Sequence, residues 1–153
     1  MISPTSAPAH FVRAACAVLG LQWPNTPTAA DAGGDFRLRF DVLPGVVLAI
    51  AHEADAACFV VTATFEAASG RGDVDAALLA LKANHLRPLG ACFSSDPRTD
   101  RLVATRVVDA AAIDLVTFCD RVAGFTIMAE NWRRMMDAPA PRGAPPGALT
   151  TWR

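Results

Sequence analysis

The sequence predicts an α+β domain in the order α-β-β-β-α-β-β-α, with three helices and a twisted, antiparallel five-stranded sheet. Three observations carry this. Phe36, Leu38, Phe40 and Val42 alternate with Arg37, Arg39 and Asp41, a period of two that gives a sheet one dry face and one wet face. Two short breaks, Pro44–Gly45 and the polar stretch EADA from Glu53, join this segment to two further apolar runs, which favours antiparallel neighbours. Near the end, Leu115, Phe118, Val122, Phe125, Ala129, Trp132 and Met136 recur at steps of three and four, the spacing of a helix face turned to a core.

The elements follow in order. Ser6 is placed to cap a first helix, with Pro8 in its first turn, where a missing N–H costs nothing. Phe11, Val12, Ala15, Val18 and Leu19 then recur at helical spacing, and Gly20 supplies the stop. Residues 23–35 are dense in turn formers and read as a loop. DFRLRFDV, VVLAIAHE and CFVVTATFEA are the first three strands, and GRGD breaks the chain after them. A second helix starts at Asp73, a good N-cap, with Asp75 also in the positive first turn. It carries Leu78, Leu79, Lys82, Ala83 and Leu86 and ends at Pro88. LGACFSS reads as the fourth strand, DPRTD as a turn and RLVATRVV as the fifth strand. The last helix begins between Asp109 and Asp114, and Arg133 and Arg134 fall in its final turn, where the helix dipole favours cations. Residues 1–136 form one domain. From 137 to 153 the chain has four prolines, two glycines and no apolar period, the composition of a disordered tail.

Composition narrows the function. At 153 residues, 52% hydrophobic and 19% charged, the chain is of the size and make-up of a single folded domain. A net charge of −1, with Lys82 the only lysine, gives no electrostatic case for nucleic acid or an anionic membrane as partner. No basic segment followed by an apolar core opens the sequence, and no apolar run approaches the ~20 residues of a membrane span, so a soluble cytoplasmic protein is expected. Cys16, Cys58, Cys92 and Cys119 are widely spaced without a Cys-x-x-Cys pair, and read as reduced, mostly buried thiols.

The segment LKANHLRPLGACFSSDPRTDRLVATRVV, from Leu81 to Val108, gathers residue types of nucleophilic and metal chemistry. A Cys92–His85 pair needs a thiol activated by positive surroundings, yet the predicted elements put His85 at a helix end and Cys92 inside a strand, packed rather than reactive. Ser94, His85 and Asp96 lack a nucleophile turn, and Asp96 before Pro97 is more simply the start of a β-turn. His10, His52 and His85 lie on different elements without metal-ligand spacing, and GRG at 70–72 lacks the Lys-Ser/Thr of a phosphate loop. Arg37 and Arg39 read as a solvated strand face, and Trp132, Met135 and Met136 as packing. The chain is read as a non-enzyme without cofactor or metal.

The same segment resembles the type III secretion chaperones of the Tir-chaperone (CesT-like) group. The likeness covers roughly residues 8–136 and lies in a leucine-rich helix ending LLALKANHLRP, the GACFSSDP strand, the DPRTDRL turn, the LVATRVV strand and a closing helix ending AENWRRMM. It implies a homodimer that binds the N-terminal segment of secreted effectors, keeps it extended and presents it to the secretion apparatus, the apparatus ATPase included. By the resemblance, the two-fold contact falls on Leu78, Leu79, Lys82, Leu86, Leu89, Ala91 and Phe93, and the effector contact on Phe11, Val12, Leu19, Phe36, Leu38 and Phe40, some of which must be core. An adaptor or regulator on the same fold without an export substrate is the second reading, and a small thiol enzyme using Cys92 and His85 the third.

Overall fold

A computed structural model describes residues 7–23, 35–66, 73–86 and 88–138. The elements are α1 (Pro8–Leu19), β1 (Phe36–Leu43), β2 (Val46–Glu53), β3 (Cys58–Phe65), α2 (Asp73–Leu86), a 3-10 turn (Pro88–Gly90), β4 (Cys92–Ser95), β5 (Leu102–Asp109) and α3 (Leu115–Asp137), the order expected from sequence. The N-cap of α1 is Ala7 rather than the expected Ser6, because the helix starts directly at Pro8, and Ala7 offers no side-chain cap. Ser6 itself, the Asp73 side chain, most of the 23–35 loop, the GRGD break and the tail from residue 139 lie outside the described residues.

All strand pairs are antiparallel, in the order β1-β2-β3-β5-β4. The chain leaves β3 through α2, enters the far edge at β4, and turns back to insert β5 between β4 and β3. Registered rows cross the whole sheet. Phe40, Leu48, Ala63, Ala104 and Phe93 form one row on the helix-covered face; Arg39, Ala49, Thr62, Thr105 and Cys92 form one on the opposite face. The alternation predicted for β1 is met: Phe36, Leu38 and Phe40 are buried, Arg37, Arg39 and Asp41 exposed.

The core forms where α1 and α3 meet the sheet. Phe11 of α1 stacks on Phe59 of β3 at 5.7 Å between ring centroids, and Phe118 of α3 packs on both, at 5.3 and 5.1 Å. His52 lies beside Phe36 and Phe59 on the same inner face, with centroids 5.6 and 5.4 Å away. The predicted α3 stripe is buried from Phe118 to Met136, with Cys119 added. On α1, Cys16 occupies the buried position and Val18 points to solvent, because residues 11, 12, 15 and 16 lie together on one helix face and residue 18 does not.

Local chemistry sets the ends. Asp114 caps α3: its Oδ1 accepts the Thr117 backbone N–H at 2.8 Å and its Oδ2 the Thr117 hydroxyl at 2.9 Å, and these bonds hold the carboxyl below its ordinary pKa. Asp96 opens the β4–β5 turn as the sequence implied, accepting from Arg98 N at 2.9 Å and Thr99 Oγ1 at 2.9 Å. The fourth strand is shorter than LGACFSS suggests. Leu89 (φ 53°) and Gly90 (φ 71°) are left-handed, which no extended strand accommodates, so pairing starts at Cys92.

Pro44–Gly45 makes the β1–β2 turn, with Gly45 at φ 73°, as proline followed by a positive-φ residue requires. The Arg133 guanidinium closes over this turn, donating to Glu66 O at 2.9 Å while its Nε binds Asp137 at 2.8 Å. A Cβ at Gly45 would lie 2.9 Å from that guanidinium. Gly45→Ala therefore meets both backbone strain and a displaced Arg133, and is expected to cost about 1–2 kcal/mol in chemical denaturation.

Candidate functional site

Helix α2 inverts the usual rule for an amphipathic helix. Its small residues Ala76 and Ala80 face the core, while Leu81 and Leu86 stand 66% and 72% exposed and Leu78 is also in solvent. Large apolar side chains turned outward beside small ones turned inward leave an exposed apolar surface of the kind found at interaction sites and ligand grooves. Beside them an apolar groove of about 430 Å³ runs between α2 and α3, with Leu79, Ala83 and Leu86 on one wall, and Ile127, Met128, Trp132 and Met135 on the other. Leu89 closes one end over Gly124, where an added Cβ would touch Leu89 Cδ1 at 3.7 Å. The left-handed backbone at Leu89 places a leucine, 51% exposed, on this lip. Lys82 and Asn131 are the polar residues of the lining. The indole ring of Trp132 packs on Phe93 at 4.3 Å, and its buried Nε1–H has no hydrogen-bond partner among the described residues.

Two further hollows lie on the sheet. A broad trough of about 1060 Å³ covers the face opposite the helices, floored by residues such as Ala51, Val60, Thr62 and Thr105, with Arg37 and Arg98 among its lining residues. At the free side of β1, Leu21, Trp23 and Phe40 line a hollow of about 530 Å³ with Arg39 and Asp41, and the Arg13 guanidinium sits 4.7 Å over the Trp23 ring. Among the described residues no strand pairs with that side of β1.

These positions divide the residues expected from sequence. Of the two-fold set, Leu78, Lys82, Leu86 and Leu89 are exposed and Leu79 lines the groove, whereas Ala91 and Phe93 are buried inside the chain itself. Phe93 faces Trp132 rather than solvent because it belongs to an inward row of the sheet. Of the effector set, Phe11, Val12, Phe36 and Leu38 are core residues, consumed by the contact of α1 and α3 with the inner face; Phe40 is buried as well but lines the hollow beside β1, and Leu19 is partly exposed. Leu81 and Ile127 are exposed apolar residues outside both expected sets. Their signal was available: Ile127, 59% exposed, is an apolar residue lying off the α3 stripe.

The reactive letters are not assembled. Cys92 is exposed, a correction to its expected packing, because it ends an outward row on an edge strand. His85 is exposed at the end of α2, and no hydrogen bond joins the two. Burial, with Cys119 as a smaller cause, pushes the Cys16 thiol up to about 11. Burial likewise raises Cys119, and raises Cys58 with help from Glu53 and Asp109, so these three are poor thiolates. Among the described residues no three His, Cys, Asp or Glu side chains are grouped to hold a metal, and no helix is long and apolar enough to cross a membrane. A thiol reagent added to the native protein is expected to modify Cys92 first, and Cys16 and Cys119 only on unfolding. Peptide mapping of the labelled chain checks this order.

No protein-family model matches the sequence, and no curated protein matches it. Solved structures do. A chain of the ExsC–ExsE complex superposes with a TM-score of 0.69 at 16% identity, over 91% of this chain and 100% of that one. A chain of the HopA1–SchA chaperone–effector complex gives 0.56 at 15% identity, over 83% and 96% of the two chains. A chain of the ExoT–SpcS complex from Pseudomonas aeruginosa gives 0.56 at 14% identity, over 85% and 98%. The fold resembles that of the type III secretion chaperones. At these identities the likeness concerns the fold.

Proposed function

We propose that this chain is a homodimeric chaperone of type III secretion that binds the N-terminal segment of a secreted effector and keeps it extended for export. The observation that carries the reading is the outward-facing leucine surface of α2 and its groove, on a fold shared with chains of chaperone–effector complexes. Two copies meeting through Leu78, Lys82 and Leu86 of α2 and through Leu89 of the turn after it would remove that surface from water. Burial of apolar area, worth roughly 25 cal/mol per Å², would favour such a pair.

The bound segment has a different surface. Its backbone can satisfy the open side of β1, and an apolar side chain can enter the hollow of Leu21, Trp23 and Phe40. Backbone pairing supplies affinity with few demands on sequence, which suits a carrier that must hold a chain without folding it. The protein acts by binding alone, in the cytoplasm, and hands its cargo to the secretion apparatus, where the ATPase is the expected receiver. Light scattering of the purified chain tests the assembly: a dimer mass that persists at micromolar concentration is expected, and a monomer there contradicts it.

A further inference from the structure

Strand β4 ends the sheet on one side, and among the described residues β5 is the only strand paired with it. Such an edge normally offers unpaired N–H and C=O groups to any extended chain. In an antiparallel ladder, alternate residues direct both backbone groups to opposite edges. Phe93 directs both of its groups away from β5, and both are occupied by one side chain. The Phe93 N–H donates to Asn84 Oδ1 at 2.6 Å, and the Phe93 C=O accepts from Asn84 Nδ2 at 2.8 Å. A primary amide carries an acceptor and a donor side by side, the same pair that a residue of a neighbouring strand would offer.

Asn84 sits in the last turns of α2, on the side that packs against β4, near Ala76 and Ala80, where alanine would be the better helix former. We propose that Asn84 closes the β4 edge, its amide standing in for a sixth strand, so that no extended segment, from a second copy or from a cargo chain, pairs there. This deepens the binding reading above. With β4 shut, strand addition is directed to β1, and any two-fold contact at α2 is made by side chains instead of by a sheet continued through β4.

The test uses the chain alone, so its failure is distinct from failure of the chaperone reading. Asn84→Ala, shown to be folded by circular dichroism, is followed by light scattering over rising concentration. Its mean mass is expected to exceed that of the wild type by about twofold or more as opened β4 edges pair. Ser95 lies two residues along, on the same edge by alternation, so Ser95→Pro removes the next outward N–H; the double variant Asn84→Ala/Ser95→Pro is expected to return to the wild-type mass. Asn84→Gln, whose amide is displaced by one methylene, is expected to repeat the gain and serves where alanine fails to fold. Folded variants that keep the wild-type mass overturn the proposal, as does a gain that Ser95→Pro leaves unchanged. If neither variant folds, the amide holds the fold instead of guarding an edge, and the proposal falls.

Discussion

Phe59→Ala is expected to lower the unfolding free energy by about 3–5 kcal/mol, the range for truncating a buried aromatic. Phe59 is fully buried and joins three elements, stacking on Phe11 of α1, packing on Phe118 of α3 and touching His52 of β2. Its removal leaves a cavity that the packed helices cannot close without shifting, and it forfeits three ring contacts besides. Against a typical domain stability of about 5–15 kcal/mol, that is a large fraction. Urea denaturation measures it. A substitution on the other face, Val107→Ala, removes a side chain already in solvent and is expected to stay within about 0.5 kcal/mol. A loss below about 1 kcal/mol for Phe59→Ala would mean that the packing of α1 and α3 on the sheet is not as described.

The second large effect is on assembly and leaves folding nearly untouched. Leu86→Gln with Leu89→Asn is expected to weaken self-association by about 30-fold or more, the consequence of losing roughly 2 kcal/mol at the proposed two-fold contact. Glutamine keeps the helical preference at the end of α2, and asparagine is among the residues that accept the left-handed backbone found at Leu89. Because both leucines are largely exposed in the single chain, chemical denaturation should change little beyond what loss of dimerisation itself removes. Analytical ultracentrifugation over a concentration series reads the dissociation constant. Phe93→Ala makes the contrast: it lies inside the chain, so its damage should appear as instability of the subunit.

The elements that sequence made legible are those with a clean period. Strand β1 declared its faces because arginine and aspartate alternate with large apolar residues, and α3 declared its core face through a continuous stripe of threes and fours. Helix α2 had no such phase. Leucines and alanines surround it, so their spacing could not say which would face inward; the close approach of α2 to β4 settled that in favour of the alanines. Ala91 and Phe93 were expected at the two-fold contact through the family resemblance alone; the register with β5 turns Phe93 into the core, and Ala91 is buried beside it. Leu89 was unreadable for a different reason. Its left-handed backbone is imposed by the return of the chain into β4, and leucine carries no signature for it. On β1 the aromatic residues were legible as one dry face, but whether that face met the chain's own helices or a partner depended on where α1 came to rest.

In the proposed role the chain carries an effector by its N-terminal segment. The direct measurement is to purify the protein from cells that operate a type III secretion system, identify the chain that co-elutes, and titrate its N-terminal segment and its remainder separately against the purified protein. The N-terminal segment is expected to bind at fixed stoichiometry with the affinity of the whole cargo, while the remainder does not bind. Binding confined to the remainder, or a protein that retains no secreted chain, would contradict the account.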